Sequence, residues 1–400
     1  MLGWLDYPVP SIYVPYGIDE ARSLGSGYIL IDYIKPSQGK MLSETWEDGH
    51  QDPKKRTNFL CSLASMMVSM TRIPLPKIGS FVLDETGHLK LDNRPLVLAM
   101  HFHENESIPV DIPRNVTYSR SDSYINDILA FHESRLRYQP NGVRDNEDGF
   151  YQTSALMVMR SVWSCFFRRD LLTGPFFLSF TDLHQSNIFV DENWNITSII
   201  DLEWACSLSV ERIHPPSWLS GGTGSSIDLD AYGPLHTEFL DLVRAEELKC
   251  SKERQHSIQL YSILQQGWEN GTFWYSLALE TPAAMFNIFY RHIQPRFAEG
   301  HQDDVKFWSI TMRYWGFDAY EFIKTKVVEK GEYDRRLREE FVSKDENGKT
   351  DGNEKDGEAE KTDAIEKTDA IEKTDAIEKT DEIEKTDGNE KIDGAHGNNH

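Results

Sequence analysis

The chain has 400 residues, of which 39% are hydrophobic and 27% charged, so it can bury a core as one large domain or two smaller ones. Its formal net charge of −23 argues against a nucleic acid or an anionic membrane surface as the partner. No apolar run reaches membrane-spanning length and the first residues lack the basic and apolar regions of a leader, so we expect neither a membrane span nor a secretory signal.

The cysteines are widely spaced and fit no metal-ligand pattern. They are Cys61, Cys165, Cys206 and Cys250. We interpret them as free thiols in a reducing compartment, which predicts a cytoplasmic protein.

The first predicted elements are a strand, a helix and a hairpin. The apolar, β-rich run at 28–34 predicts a buried strand, and a helical pattern follows over about 57–70. Two alternating runs within 80–92 flank a glycine-containing turn and predict a β-hairpin. In the next run, LAMHFHEN, His101 and His103 alternate as on one face of a strand. No third ligand follows at a useful spacing, so we interpret them as ordinary surface histidines rather than a metal pair.

Helical periodicity dominates the rest of the chain up to about residue 341. The stretches with this pattern are 121–138, 152–170, 236–248, 255–269 and 303–329. Aromatic residues near 268–275 are expected to pack in the helical core. The segment 221–226, GGTGSS, lacks the Gly-Lys-Ser/Thr ending of a phosphate-binding loop and is interpreted as a flexible loop.

Residues 176–205 read as a strand, a polar loop, a strand, a turn and a third strand. If the chain folds back at the turn 191–195, Asp201 at the end of the third strand comes close to Asn187 at the start of the second. Asn187 and Asp201 would then offer oxygen ligands suited to Mg²⁺. Asp182, just before this pair, could accept a proton from an attacking hydroxyl. This combination is what phosphoryl transfer requires.

The same residues resemble a known family. The segments TDLHQSNIFVD at 181–191 and IIDLEWA at 199–205 are similar to the catalytic and metal-binding segments of the aminoglycoside phosphotransferase-like family, especially its fungal members. HPPSWL at 214–219, NRPL at 93–96 and the strand at 28–34 add to the likeness, which runs from about residue 8 to 325.

The resemblance implies a kinase-like fold of the α+β class, with ATP as phosphoryl donor, Mg²⁺ as metal and a small-molecule hydroxyl as acceptor. Carried over by position, Asp182 is the catalytic base, and Asn187 and Asp201 bind the metal. The segment 31–35 becomes the hinge that meets adenine through its backbone, with Asp32, Tyr33 and Ile34 as its nucleotide-binding residues.

The resemblance also predicts a truncated N-terminal lobe. Only 27 residues precede Tyr28, and they contain no lysine and no G-x-G-x-x-G, whereas a complete lobe with five strands and a helix needs about 60 residues. We therefore expect a lobe remnant with its hinge at 1–35 and a mainly helical C-terminal lobe at 36–343.

The last segment, 344–400, has a different composition. It holds 19 acidic and 9 basic residues, and the repeat EKTDAI recurs with a period of six that builds no helical seam. Such a polar segment cannot bury enough apolar area to offset its backbone entropy, so we expect a disordered, low-complexity tail. The sequence does not identify a partner for it.

Three functional hypotheses follow. The first is an ATP-dependent phosphotransferase acting on a small-molecule hydroxyl. The second is a catalytically inactive kinase-like binding or scaffold protein that has kept the motif and lost the nucleotide-binding lobe. The third is a fragment of an active kinase whose start is misassigned.

Overall fold

The computed structural model describes residues 33–221, 227–251, 259–298 and 304–347. Helices and small antiparallel sheets make up these segments, as expected for the α+β class. The chain divides into two units, Met1–Arg335 and Arg336–His400. The first contains every sheet and cleft discussed below; of the second, the structure describes residues 336–347, which are helical.

Among the described residues, five helices are interspersed with the strands. Six more follow the last strand, which ends at Ser209. Their bounds are α1 Leu42–Gly49, α2 Pro53–Met70, α3 Leu98–Asn105, α4 Ser121–Tyr138, α5 Asn146–Val162, α6 Leu229–Ser251, α7 Leu260–Asn270, α8 Thr272–Glu280, α9 Met285–Ile288, α10 Val305–Thr311 and α11 Ala319–Asn347.

Three small antiparallel sheets accompany them. The strands are β1 Lys40–Met41, β2 Ser80–Leu83, β3 Leu89–Asn93, β4 Phe176–Phe180, β5 Ile188–Val190, β6 Ile196–Ile199 and β7 Ala205–Ser209. Strand order is β1-β5-β6 in one sheet, β2-β3 in the second and β4-β7 in the third. The predicted hairpin within 80–92 and the three predicted strands within 176–205 are therefore confirmed.

Helix α2 shows why these elements form where they do. Asp52 caps its start by accepting hydrogen bonds from the backbone N–H groups of Lys54 and Lys55, and Pro53 occupies the first turn, where no N–H is needed. The helix buries an apolar face that includes Phe59 and Leu63 and packs along α6. It begins four residues before the predicted start because its first turn is polar and exposed.

Helix boundaries differ from the prediction where caps or glycine decide them. The helix expected over 152–170 begins at Asn146, capped by Asp145, and ends at Val162, after which short 3₁₀ turns follow. The helix expected over 303–329 is two helices, α10 and α11, with Gly316 in the connection between them, since glycine lowers helix stability. Helix α4 matches its prediction at both ends.

The strand expected at His101 and His103 was wrong, as was the surface position expected for His103, whereas His101 is exposed as expected. They lie on helix α3, where residues two apart point to nearly opposite faces, so they cannot form a pair. His101 is exposed and its ring packs against Trp204 at 5.4 Å between centroids. His103 is buried, with Nδ1 2.6 Å from the carbonyl oxygen of Ala99. Burial lowers the pKa of His103, so it is a neutral core residue.

Several expectations fall partly or wholly outside the described residues. Of the strand at 28–34, residues 28–32 lie outside them, and Tyr33 and Ile34 have irregular backbone. The loop 222–226 and the tail residues 348–400 also lie outside them. Helix α11 continues through Asn347, so residues 344–347, expected to begin the disordered tail, are helical.

Two further findings concern membrane spans and cysteines in the described segments. No helix among the described segments is long and apolar enough to cross a membrane. Cys61, Cys165 and Cys206 are free thiols, as expected, and Cys206 is buried.

Candidate functional site

The candidate site lies where strand β4 ends and strand β7 begins. Phe180 pairs with Ala205 at this end of the sheet. The hydroxyl of Thr181 donates a hydrogen bond to the carbonyl of Trp204, with 2.6 Å between the oxygens. This bond holds the start of the polar loop 181–187 against the segment that follows Asp201.

Asn187 is tied to Asp182 by a side-chain hydrogen bond. Nδ2 of Asn187 donates to the backbone carbonyl of Asp182 at 3.0 Å, and its backbone N–H donates to His184. Because the nitrogen of the amide is committed in this way, Oδ1 is the atom left to accept or to ligate. Only Ser186 contacts Oδ1 among the described residues, through its hydroxyl at 3.4 Å.

Asp201 reaches the site through the register of the β5–β6 hairpin. Ile188 pairs with Ile199, and the N–H of Ile200 donates to the carbonyl of Asn187 at 3.0 Å. The next residue, Asp201, is exposed and has a φ of 55°, in the left-handed region that Asp and Asn tolerate better than other non-glycine residues. The expectation that this hairpin brings Asp201 near Asn187 is therefore confirmed at the level of backbone pairing.

Asp182 and Asp201 line one small cleft of about 190 Å³, together with Thr181 and Trp204. Asn187 is buried and does not line this cleft; it bonds to the backbone of Asp182 through its side chain and to Ile200, the neighbour of Asp201, through its carbonyl. Of the predicted hinge residues, Tyr33 and Ile34 are also absent from its lining, and Asp32 lies outside the described residues. The side chain of Tyr33 is 77% exposed.

The turn of the hairpin is fixed by two anchors. One carboxylate oxygen of Asp191 accepts from the backbone N–H groups of Asn193 and Asn195, at 2.9 Å each. The side chain of Asn195 donates to the same carboxylate, and these bonds hold the pKa of Asp191 below its ordinary value. Trp194 is buried and stacks on Trp46 at 5.6 Å between ring centroids. The strand that supports Asp201 is thus held rigidly at its far end.

The polar loop is tied to the segment 214–219 that the sequence analysis singled out. Nε1 of Trp218 donates to the carbonyl of Leu183 at 2.7 Å. His184 is exposed, and its Nδ1 lies 3.4 Å from the hydroxyl of Ser186. These contacts help to order the polar loop, through Trp218 and, at longer distance, through His184.

The residues that could hold a metal are few. Within the described ranges, no three His, Cys, Asp or Glu side chains are grouped so as to hold a metal ion. Asn187 and Asp201 supply at most one amide and one carboxylate. Mg²⁺ is commonly bound in this way, with phosphate and water completing six ligands.

The sequence analysis missed a second polar group beside the loop, formed by Tyr124, Arg212, His214 and Glu280. Arg212 and Glu280 line two larger clefts, and Thr181 lines both of these as well as the cleft of the aspartates. The only sequence signal for this group was the motif that begins at His214. Tyr124 lies on a helix whose predicted periodicity carries no chemistry, and Glu280 lies at the end of helix α8, which the sequence analysis did not predict.

No family model matches the chain, and no curated protein and no solved structure matches it either.

Proposed function

We propose that this chain is a kinase-like phosphotransferase of the aminoglycoside phosphotransferase type, moving a phosphoryl group from ATP to a hydroxyl of a small molecule. The observation that supports it best is the arrangement of Asp182, Asn187 and Asp201. The side chain of Asn187 donates to the backbone carbonyl of Asp182, and the carbonyl of Asn187 accepts from the N–H of Ile200, the residue before Asp201, so residues spread over 20 positions of the chain are brought together.

The spacing of the first two residues is that of a kinase catalytic loop. Asp182 and Asn187 match D-x-x-x-x-N, in which the aspartate accepts the substrate proton and the asparagine faces the metal. Here Asp182 would accept the proton of the attacking hydroxyl as its oxygen forms a bond to the γ-phosphorus. The bond from that phosphorus to the bridging oxygen breaks, and ADP leaves with the electron pair.

Asn187 and Asp201 would hold Mg²⁺. The hydrogen bond from Nδ2 of Asn187 leaves Oδ1 as the atom that would bind the metal. Asp201, with its left-handed backbone, follows the end of strand β6 and would supply the carboxylate ligand. When bound, the metal neutralises charge on the phosphates. Both residue types are hard oxygen donors, so they fit this ion.

The nucleotide-binding role of Asp32, Tyr33 and Ile34 belongs to the same proposal. The chain leaves this segment and enters β1, where Lys40 pairs with Val190 and Met41 with Phe189 of the hairpin. A hinge at 31–35 would therefore lie only a few residues from the sheet whose strand β5 begins directly after Asn187.

Metal binding in the presence of nucleotide tests the proposal directly. We expect the full chain to bind Mn²⁺, as a spectroscopic substitute for Mg²⁺, together with ATP, measured by electron paramagnetic resonance. Asp201→Asn should weaken this binding at least tenfold, since it removes the only carboxylate ligand. Glu192→Gln removes the same charge from the exposed turn of the hairpin and should leave it unchanged.

Asp182→Asn separates catalysis from binding. It should keep Mn·ATP binding and lower the rate of ATP consumption at least about 100-fold. Full activity in this variant would refute the assignment of the base. Absence of Mn·ATP binding in the wild-type chain would instead favour the inactive binding protein.

A further inference from the structure

A buried arginine lies next to the proposed catalytic loop with two of its donors unused. The side chain of Arg212 is 3% exposed, and its Nη2 lies 3.5 Å from Oε1 of Glu280. Its Nε and Nη1 are buried and form no hydrogen bond with any described residue. Unpaired charged donors in the interior are unfavourable, so a hydrogen-bond acceptor bound at this position would stabilise the protein.

Tyr124 adds a third unused polar group at the same place. Its ring lies under the guanidinium of Arg212, at 5.3 Å from Cζ to the ring centroid. The tyrosine is 1% exposed and its hydroxyl, too, has no hydrogen-bond partner in the described part of the chain. Burial raises the pKa of Tyr124 and the neighbouring guanidinium of Arg212 offsets this only in part, so the hydroxyl stays protonated and can donate.

Both residues line one cleft whose other walls are mostly apolar. The cleft encloses about 730 Å³ when the space open to solvent is counted. Helices α3 and α4 and the end of α8 supply the apolar walls, which are Val97, Leu98, Ala99, Phe102, Ile128, Phe131 and Leu279. An apolar cleft with a few unpaired polar groups is the usual form of a site for a small organic molecule.

The charges around the cleft favour an anion. Glu280 is engaged by Arg212 and by His214, whose Nε2 lies 3.2 Å from Oε2 of Glu280. Burial alone would lower the pKa of His214, but the carboxylate of Glu280 raises it above its ordinary value. Because the carboxylate of Glu280 is already engaged by Arg212 and His214, the remaining N–H groups of Arg212 are matched best by the carboxylate of a ligand, which accepts two parallel hydrogen bonds.

We propose that this cleft binds a small organic acid, with its carboxylate on Arg212 and Tyr124 and its apolar body against Phe102 and Phe131. Thr181 lines both this cleft and the one that contains Asp182, so a hydroxyl on the bound acid would face the proposed catalytic base. The assignment of the acid as phosphoryl acceptor rests on the proposed function, whereas the carboxylate site does not.

The test is direct binding to the full chain in the absence of ATP and metal. Three probes share one phenylpropyl body: 3-phenylpropionate, 3-phenylpropan-1-ol and 3-phenylpropylamine. Ligand-detected nuclear magnetic resonance, which reports weak binding, should show the acid bound at least about tenfold more tightly than the alcohol or the amine. Because neither ATP nor metal is present, the result does not depend on phosphoryl transfer.

Two variants locate the bound acid. Arg212→Met should weaken binding of the acid about tenfold or more, and Tyr124→Phe about threefold to tenfold. Tyr124→Phe deletes only an unbonded hydroxyl, so it should fold even if Arg212→Met does not. Tyr118→Phe is the matched control, because the hydroxyl of Tyr118 donates to Asp127 and does not line the cleft.

Equal binding of the acid and the alcohol would overturn the proposal and leave Arg212 with a structural role beside Glu280. Unchanged binding of the acid to Tyr124→Phe would also overturn it, by placing the acid elsewhere. If the wild-type chain binds no Mn·ATP but still binds the acid selectively, the acid is not a phosphoryl acceptor. The carboxylate site is then supported without the proposed function.

Discussion

The catalytic segment and the Arg212 cleft are neighbours that the chain builds in opposite ways. Asp182, Asn187 and Asp201 are brought together by a tight hairpin and by backbone hydrogen bonds close in sequence. Tyr124 and Glu280 join Arg212 from helices α4 and α8, far apart in the chain. The first arrangement depends on strand register and the second on the packing of helices, so they should respond differently to substitution.

The largest effect is expected at the packed cluster. Arg212→Met should lower the free energy of unfolding by about 3 kcal/mol, because it leaves the partly buried Glu280 with only His214 to balance it. The figure is at the low end for a broken buried ion pair, since 28% of the Glu280 side chain is exposed. Urea unfolding monitored by tryptophan fluorescence measures the change.

Arg160→Met is the control for that experiment. Arg160 pairs with Glu133 between α4 and α5, and Glu133 keeps Arg137 as a second arginine partner. Because Glu133 stays paired, the loss of Arg160 should cost about 1 kcal/mol or less. Equal costs for the two variants would show that the loss of Arg212 does not leave Glu280 uncompensated.

A second, smaller effect depends on pH and concerns Glu211, next to Arg212 in the chain. Burial raises the pKa of Glu211 to about 7, although the backbone N–H of Arg168 donates to its Oε1. Between the ordinary pKa of 4.5 and the folded value of about 7 the unfolded state loses its proton first, so this group reduces stability as the pH rises. Glu211→Gln should abolish a loss of about 2 kcal/mol between pH 5 and pH 8.

The measurement is the urea midpoint of wild type and variant at both pH values. Glu192→Gln, on the exposed turn of the hairpin, is the control and should not change the pH dependence. If Glu211→Gln follows the wild-type pH profile, the carboxylate of Glu211 is ionised in the folded protein at neutral pH. Buried Glu211 and exposed Glu192 would then have the same effect on the pH dependence of stability.

These differences explain which parts of the molecule the sequence predicts. The hairpin after Asn187 and the position of Asp201 follow from alternation and a five-residue turn, both local features. Helix α4 was predicted in full because its apolar period runs to both ends. The start of α5 was missed because it is set by a capping bond from Asp145 rather than by apolar spacing.

The Arg212 cleft could not be predicted in the same way. Periodicity predicts a helix at Tyr124 but none at Glu280, and it does not show which buried face of one helix meets which face of another. Whether a buried hydroxyl or guanidinium finds a partner depends on distances of a few tenths of an ångström between elements far apart in sequence. His103 illustrates the same limit, since its burial depends on contacts with Phe131 across two helices.

The smallest effect is expected at Asp201, where chemistry and stability should separate. Asp201 has a left-handed backbone and its side chain caps none of the N–H groups of the 3₁₀ turn that follows. Asn tolerates this conformation, so Asp201→Asn should change the free energy of unfolding by no more than about 0.5 kcal/mol. Asp201→Val places a β-branched residue at a positive φ and should cost about 1–2 kcal/mol. Urea midpoints compare the two variants with wild type.

A cost above about 1 kcal/mol for Asp201→Asn would show that the carboxylate stabilises the fold. The hairpin would then depend on side-chain charge as the Arg212 cluster does, and Asp201 could no longer be interpreted as a residue placed by strand register and kept for its ligand oxygens.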